Sequence, residues 1–283
     1  MMERIEDKRA SEASKTPELI EFSRSRDWHD RRKVAWNPET PEEILLALSR
    51  DEVQWVREAV AGNLRSPEEV LVRLAEDSSG FVRAAVALNS RTPSGVLEGL
   101  AADEMMDYDC TLGKNRYLVK EAAARNPNIT EEALAYLARD HDEHVRAAAV
   151  SNPKVTPELL SKLSRDVSWL VRDRIARNPA TPESLLDYLS ADRIMDVRIS
   201  VALNPKTPHQ ALATLSGDKS WEVRQAVAQN AKTEPKILED LSGHWSWKVR
   251  EAVAENPGTS REVLKRLAQD QDQSVQKAAQ KHT

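Results

Sequence analysis

Apolar residues along this chain fall into two short alternating patterns. One is rich in Leu and Ile at helical spacing, as in Ile44, Leu45 and Leu48; the next is built on Val and Ala, as in Val56, Ala59 and Val60. Both put their apolar side chains on one face of a 3.6-residue turn, which predicts two short amphipathic helices in succession. The polar punctuation is equally regular. An Asn recurs at Asn37, Asn63, Asn89, Asn126, Asn152, Asn178, Asn204, Asn230 and Asn256, every 26 residues except for one interval of 37. Six residues ahead of each stands a basic residue: Arg31, Arg57, Arg83, Lys120, Arg146, Arg172, Arg198, Arg224 or Arg250. A further six residues back, most repeats carry an Asp: Asp51, Asp77, Asp140, Asp166, Asp192 and Asp218, with Asp270 in the last repeat. His244 departs from that column, and Asp27 lies two residues closer to its Arg.

The junctions between patterns carry the helix signals. All fourteen prolines sit there, most of them in Asn–Pro or Thr–Pro pairs, where proline stops one helix or opens the next. In Thr40-Pro41-Glu42-Glu43, Thr is placed to cap, Pro fits the first turn, and the acids favour the positive end of the dipole. Asp51 is placed to cap the second helix, and Asn63 to close it in a left-handed conformation. Helices this short are unstable alone, so stacking must stabilise them. The expected fold is all-α: a right-handed α-solenoid of about ten 26-residue repeats, two short helices each, with room for a 3₁₀ turn in one. Residues 1–15 are expected to be a flexible segment. Residues 16–283 are expected to form a single solenoid with an insertion loop near 104–114, where the interval lengthens.

Composition narrows the chemistry. With 40% hydrophobic and 31% charged residues, the chain can bury a core. Its net charge of −5 argues mildly against an obligate nucleic-acid binder. The single cysteine, Cys110, leaves no disulfide framework, multi-cysteine zinc site or cysteine-ligated cluster. No glycine loop for phosphate or nucleophile elbow occurs, and no cofactor or metal is expected. His141 and His144 share a helical face without the further ligands of a metal site. With no membrane span and a charged N-terminus in place of a signal peptide, a soluble, cytoplasmic protein is expected.

The repeated residues resemble a known family. Val-Arg-Glu-Ala-Val-Ala at 56–61, Val-Arg-Gln-Ala-Val-Ala at 223–228 and Val-Arg-Glu-Ala-Val-Ala-Glu-Asn-Pro at 249–257 look like bacterial leucine-rich repeat variant proteins. They are similar, less closely, to HEAT-type repeats. The resemblance covers residues 16 to 283 and implies a scaffold whose partners vary from member to member. Some members carry an N-terminal cysteine-ligated iron–sulfur module, and here the N-terminus has no cysteine.

Two rows of polar or aromatic residues remain as candidate sites. The regular basic row (Arg57, Arg83, Arg146, Arg172, Arg198, Arg224 and Arg250) is expected to form a structural ladder with the Asp column. Recognition is expected instead at variable positions, three before, one after and five after the basic residue, which form one stripe on the second helix. Trp28, Arg32, Trp36, Tyr117, Trp169, Asp173, Arg177, Trp221 and Trp247 are the candidate ligand-binding residues on it. The first column holds Trp in some repeats and Gln54, Gly80, Glu143, Met195 or Gln273 in others, a variability that a core position would not tolerate. The favoured reading is a non-enzymatic scaffold that recognises a protein or peptide along the second helices. The alternative is a nucleic-acid-binding HEAT-like solenoid, possibly a DNA alkylpurine glycosylase-like enzyme. There Trp169, Asp173, Arg198 and Trp221 would imitate that family's tryptophans, Asp and Arg.

Overall fold

The computed structural model describes residues 16–109 and 113–281; the N-terminal segment 1–15 lies outside the described residues. The chain divides into two units, residues 1–154 and 155–283. In the first unit the order is α1 (Thr16–Ser23), α2 (Trp28–Trp36), α3 (Glu42–Leu48), α4 (Gln54–Gly62), α5 (Glu68–Leu74), α6 (Gly80–Leu88) and α7 (Ser94–Ala101). A small hairpin of β1 (Asp107–Asp109) and β2 (Lys114–Arg116) follows, then α8 (Leu118–Arg125), α9 (Glu131–Leu137) and α10 (Glu143–Val150). The second unit runs α11 (Pro157–Leu163), α12 (Trp169–Arg177), α13 (Glu183–Leu189), α14 (Met195–Leu203) and α15 (His209–Ser216). It continues through α16 (Trp221–Gln229), α17 (Pro235–Leu241), α18 (Trp247–Glu255), α19 (Arg261–Leu267) and α20 (Gln273–Gln280).

The result is an all-α repeat solenoid in which each unit stacks successive helix pairs. Within a unit, consecutive second helices pack most closely against one another, whereas consecutive first helices touch far less. Small Ala residues such as Ala59, Ala61, Ala226 and Ala228 are buried in those seams and let the helix axes approach. Leu45, Leu71, Leu186 and Leu212 of the first helices close the core from the other side. Among the described residues, both helices of a repeat are α-helical, with no 3₁₀ segment.

The Asn row works differently from the sequence expectation. Asn63 has φ −73° and ψ 124°, an extended conformation, and no described non-glycine residue has positive φ. Its side-chain amide instead donates to the carbonyls of Ala35 at 2.7 Å and Asn37 at 2.9 Å, both in the preceding repeat. Its Oδ1 accepts from the Arg65 N–H at 2.9 Å. Asn89, Asn126 and Asn152 repeat the pattern in the first unit, and Asn204, Asn230 and Asn256 in the second. Only a primary amide offers two donors and an acceptor at this reach, so the row satisfies helix-end carbonyls across the repeat seam.

Two capping expectations also change. The Thr40 hydroxyl donates back to the Val34 carbonyl at 2.6 Å while Pro41 takes the N-cap position; Thr130 and Thr156 do cap their helices. Asp51 Oδ1 accepts from the N–H of Val53, the N-cap residue itself, so it shapes the entry loop two residues before the cap. The carboxylate is thereby placed to receive an arginine from the preceding repeat.

Candidate recognition surface

That carboxylate completes a ladder. Arg57 Nε donates to Asp77 Oδ2 at 2.6 Å and Nη2 to Asp77 Oδ1 at 2.9 Å, while Nη1 donates to the Asp51 carbonyl at 2.8 Å. One guanidinium thus ties its own entry loop to the loop of the next repeat, a bidentate charge-assisted geometry. Arg31 and Arg83 do the same with Asp51 and Asp103 in the first unit. In the second unit Arg172, Arg198 and Arg250 pair with Asp192, Asp218 and Asp270. Lys120, fully buried, bonds Asp140 at 2.9 Å and Glu104 at 2.8 Å. Arg146 donates to the carbonyls of Asp140 and His141. Asp103 and Glu104 fall outside the Asp column counted back from Lys120, yet Asp103 stands at the same twenty-residue offset from Arg83. Burial works to raise the pKa of Asp77, Asp192 and Asp218, but the Arg hydrogen bond and the loop N–H outweigh it and hold each below the usual carboxylate value.

Arg224 breaks the pattern. The residue at its offset is His244, and Arg224 bonds through Nε to the Asp218 carbonyl at 2.5 Å without an ion pair to any described residue. His244 Nδ1 accepts from the Ser246 N–H at 3.0 Å, the role an Asp oxygen has elsewhere, and its buried Nε2 has no partner among the described residues.

The aromatic row of the second unit stands at the starts of α12, α14, α16 and α18, which pack in that order. Trp169 is 46% exposed, Trp247 40%, Met195 somewhat less, and Trp221 half-buried. Lys248 Nζ lies 5.1 Å from the Trp221 ring centroid and 5.8 Å from that of Trp247, so a cation bridges the two indoles. Asp173, one turn along α12, is only 4% exposed. It accepts from Arg177 Nε at 3.0 Å and from Ser200 Oγ at 2.6 Å. Arg177 itself is exposed, so Asp173 positions a basic side chain at the surface. The Asp173 and Arg198 of the glycosylase-like alternative are both buried and engaged by Ser200 and Asp218 respectively.

In the first unit the stripe is more closed. Trp28 stacks on His29 at 3.8 Å. Trp36 remains half-exposed but lies over Gly62, where an added Cβ would come within 2.7 Å of its ring. Arg32 lies near Glu58, whose pKa burial raises despite the opposing charge of Arg32. Tyr117 bonds His141 through its hydroxyl and lies beneath Lys120. Gly80, which the variability of its column set apart from the core, is buried. A Cβ there would fall 1.9 Å from Asp107 Oδ2, because the β1–β2 hairpin of the insertion lays the Asp107 carboxyl over the start of α6. Burial raises the Asp107 pKa against the pull of Arg83. Glycine stands in this slot for close approach of the insertion.

Among the described residues no group of three or more His, Cys, Asp or Glu is placed to hold a metal ion, and no helix is long and apolar enough to cross a membrane.

Comparison with known proteins agrees with this architecture. Residues 80–105 and 247–272 match the family model for leucine rich repeat variants. No curated protein matches the chain significantly. A solved structure described as a leucine-rich repeat variant with a novel repetitive protein structural motif aligns with a TM-score of 0.59 at 24% identity, over 83% of this chain and 88% of that one. An engineered protein aligns with a TM-score of 0.38 at 16% identity, over 93% and 96% of the two chains. A designed armadillo repeat protein in complex with the peptide (KR)4 aligns with a TM-score of 0.22 at 18% identity, over 94% and 97%. The chain is similar to leucine-rich repeat variants in repeat sequence and in fold.

Proposed function

We propose that this repeat solenoid is a non-catalytic scaffold that recognises a protein or peptide along the second helices, with Trp169, Trp221 and Trp247 as anchors and Arg177 as a polar contact. The observation that carries it is the contrast at one slot. The same helix start holds a partly exposed Trp in three of four consecutive repeats and Met195 in the other, while the Val and Ala positions of the same helices are buried. Rigid aromatics with a polar edge give large contact area at low ordering cost and dominate binding energetics where they are presented together. In the first unit Trp28, Arg32, Trp36 and Tyr117 are the candidate contacts, with Trp36 the most open. The engagement of Asp173 and Arg198 by internal partners favours this reading over the nucleic-acid alternative, which needs both groups free.

A random peptide library displayed on phage tests it. Peptides enriched on the wild-type chain should protect its tryptophans from acrylamide quenching and fail to enrich on a variant with Trp169, Trp221 and Trp247 all changed to Gln. Equal enrichment on both baits would overturn the assignment.

A further inference from the structure

Among the described residues, seven cationic side chains of the ladder meet a carboxylate on the following loop, whereas the residue at that offset from Arg224 is His244. The difference leaves this rung without an acceptor. Arg224 has turned so that Nε, and not Nη1 as in Arg198 and Arg172, takes the carbonyl of its own entry loop. Its two terminal nitrogens make no hydrogen bond with any described residue. Across from it, His244 Nδ1 accepts the Ser246 N–H, so Nδ1 carries the lone pair and a neutral ring must bear its proton on Nε2. Burial, and then the positive charge of Arg224, lowers the His244 pKa, which keeps the ring neutral. That Nε2–H is buried and unsatisfied among the described residues, a costly state for a donor. Beside it, Trp245 is 75% exposed with its ring centroid 5.3 Å from the imidazole, so a largely exposed indole flanks the rung.

We propose that Arg224 and His244 form a carboxylate-binding site, filled by an acid from outside the chain that restores the missing rung. The two oxygens would accept from a terminal nitrogen of Arg224 and from Nε2–H of His244, with the Trp245 ring as one wall. A carboxylate is favoured because every neighbouring rung of this unit holds one in bidentate contact with the equivalent guanidinium. This site stands on the ladder and is independent of the aromatic-row reading.

Thermal melts at constant ionic strength, in sodium acetate against sodium chloride, read the site together with the His244 imidazole nitrogen signals by NMR. Acetate should raise Tm over chloride and shift the His244 Nε2 signal. His244→Asp should supply the carboxylate from within, melt above the wild type, and lose the acetate response. Arg224→Gln, which removes no ion pair and should still fold, should lose the response as well. Two sources present this chemistry, a small carboxylic acid and an acidic side chain of another protein. A capped Gly-Glu-Gly peptide set against Gly-Gln-Gly separates them: a response to the Glu peptide assigns the site to a protein partner, and a response to acetate alone assigns it to small acids. No acetate or Glu-peptide shift at His244, or a His244→Asp variant that melts no higher than wild type, would overturn the proposal.

Discussion

Arg172 makes four hydrogen bonds with one planar group: Nε and Nη2 to the Asp192 carboxylate, and Nη1 to the carbonyls of Asp166 and Val167. Removing it strands a buried carboxylate and two loop carbonyls at once. Breaking a buried charged pair from one side typically costs about 3–5 kcal/mol, so Arg172→Ala should lose roughly 3 kcal/mol in urea denaturation, whereas the Arg224→Gln change should cost far less. The titrating groups add a pH dependence with opposite origins. Asp77, Asp192 and Asp218 are held below their ordinary pKa, so their stabilisation is complete above the unfolded value of 3.8 and is lost as pH falls through the lower folded values. His244 is also depressed, by burial and by the charges of Arg224 and Arg250. Its folded state resists the proton, so stability is complete above the unfolded value of 6.5 and falls as pH drops below it. Between about pH 7 and pH 5, the wild type should therefore lose more Tm than His244→Asp.

At the scale of elements, the hairpin and α6 make a prediction whose sign decides the packing. Gly→Ala in a helix normally stabilises by about 0.5–1 kcal/mol. At Gly80 a Cβ meets the Asp107 carboxyl, so Gly80→Ala should instead destabilise and speed amide exchange in the 104–117 segment, measured by mass spectrometry. In a chain lacking 104–114, the same substitution should turn neutral or stabilising. The paired helices were legible in the sequence because every repeat states the same apolar spacing. The purpose of the punctuation was less legible. Asn63 and Thr40 match local capping rules, yet the Asn63 amide runs to Ala35 across a seam that only the stacked repeats create, and the Thr40 hydroxyl turns back six residues to Val34. Spacing alone defines the stripe, and spacing does not carry that Gly80 lies under a hairpin, that Asp173 is buried against Ser200, or that Lys248 bridges two indoles. The missing acid at His244 was visible as a departure from a column, and its meaning required the partner twenty residues back.

At the scale of the whole molecule, the chain divides its labour between columns. Within each unit Val, Ala and Leu form the core, Asn amides and most rungs of the ladder tie a repeat to its neighbour, and the variable stripe differs from repeat to repeat. Because repeats touch only near neighbours, stability in such arrays sums local terms. Loss of the Arg172 rung should therefore raise amide exchange mainly in α12 to α14, with α18 to α20 much less affected. The aromatic row is assigned to a ligand, and the paired rungs of the ladder to the fold. The most direct test of that assignment is the affinity of Trp221→Gln for a peptide selected on the parent chain, since Gln occupies the same slot at Gln54 and Gln273. Truncating a central aromatic anchor costs about 2 kcal/mol or more, so affinity should fall roughly thirtyfold while the denaturation midpoint stays near that of the parent. Unchanged affinity, with stability lost on the scale of Arg172→Ala, would make the row packing and not a binding surface.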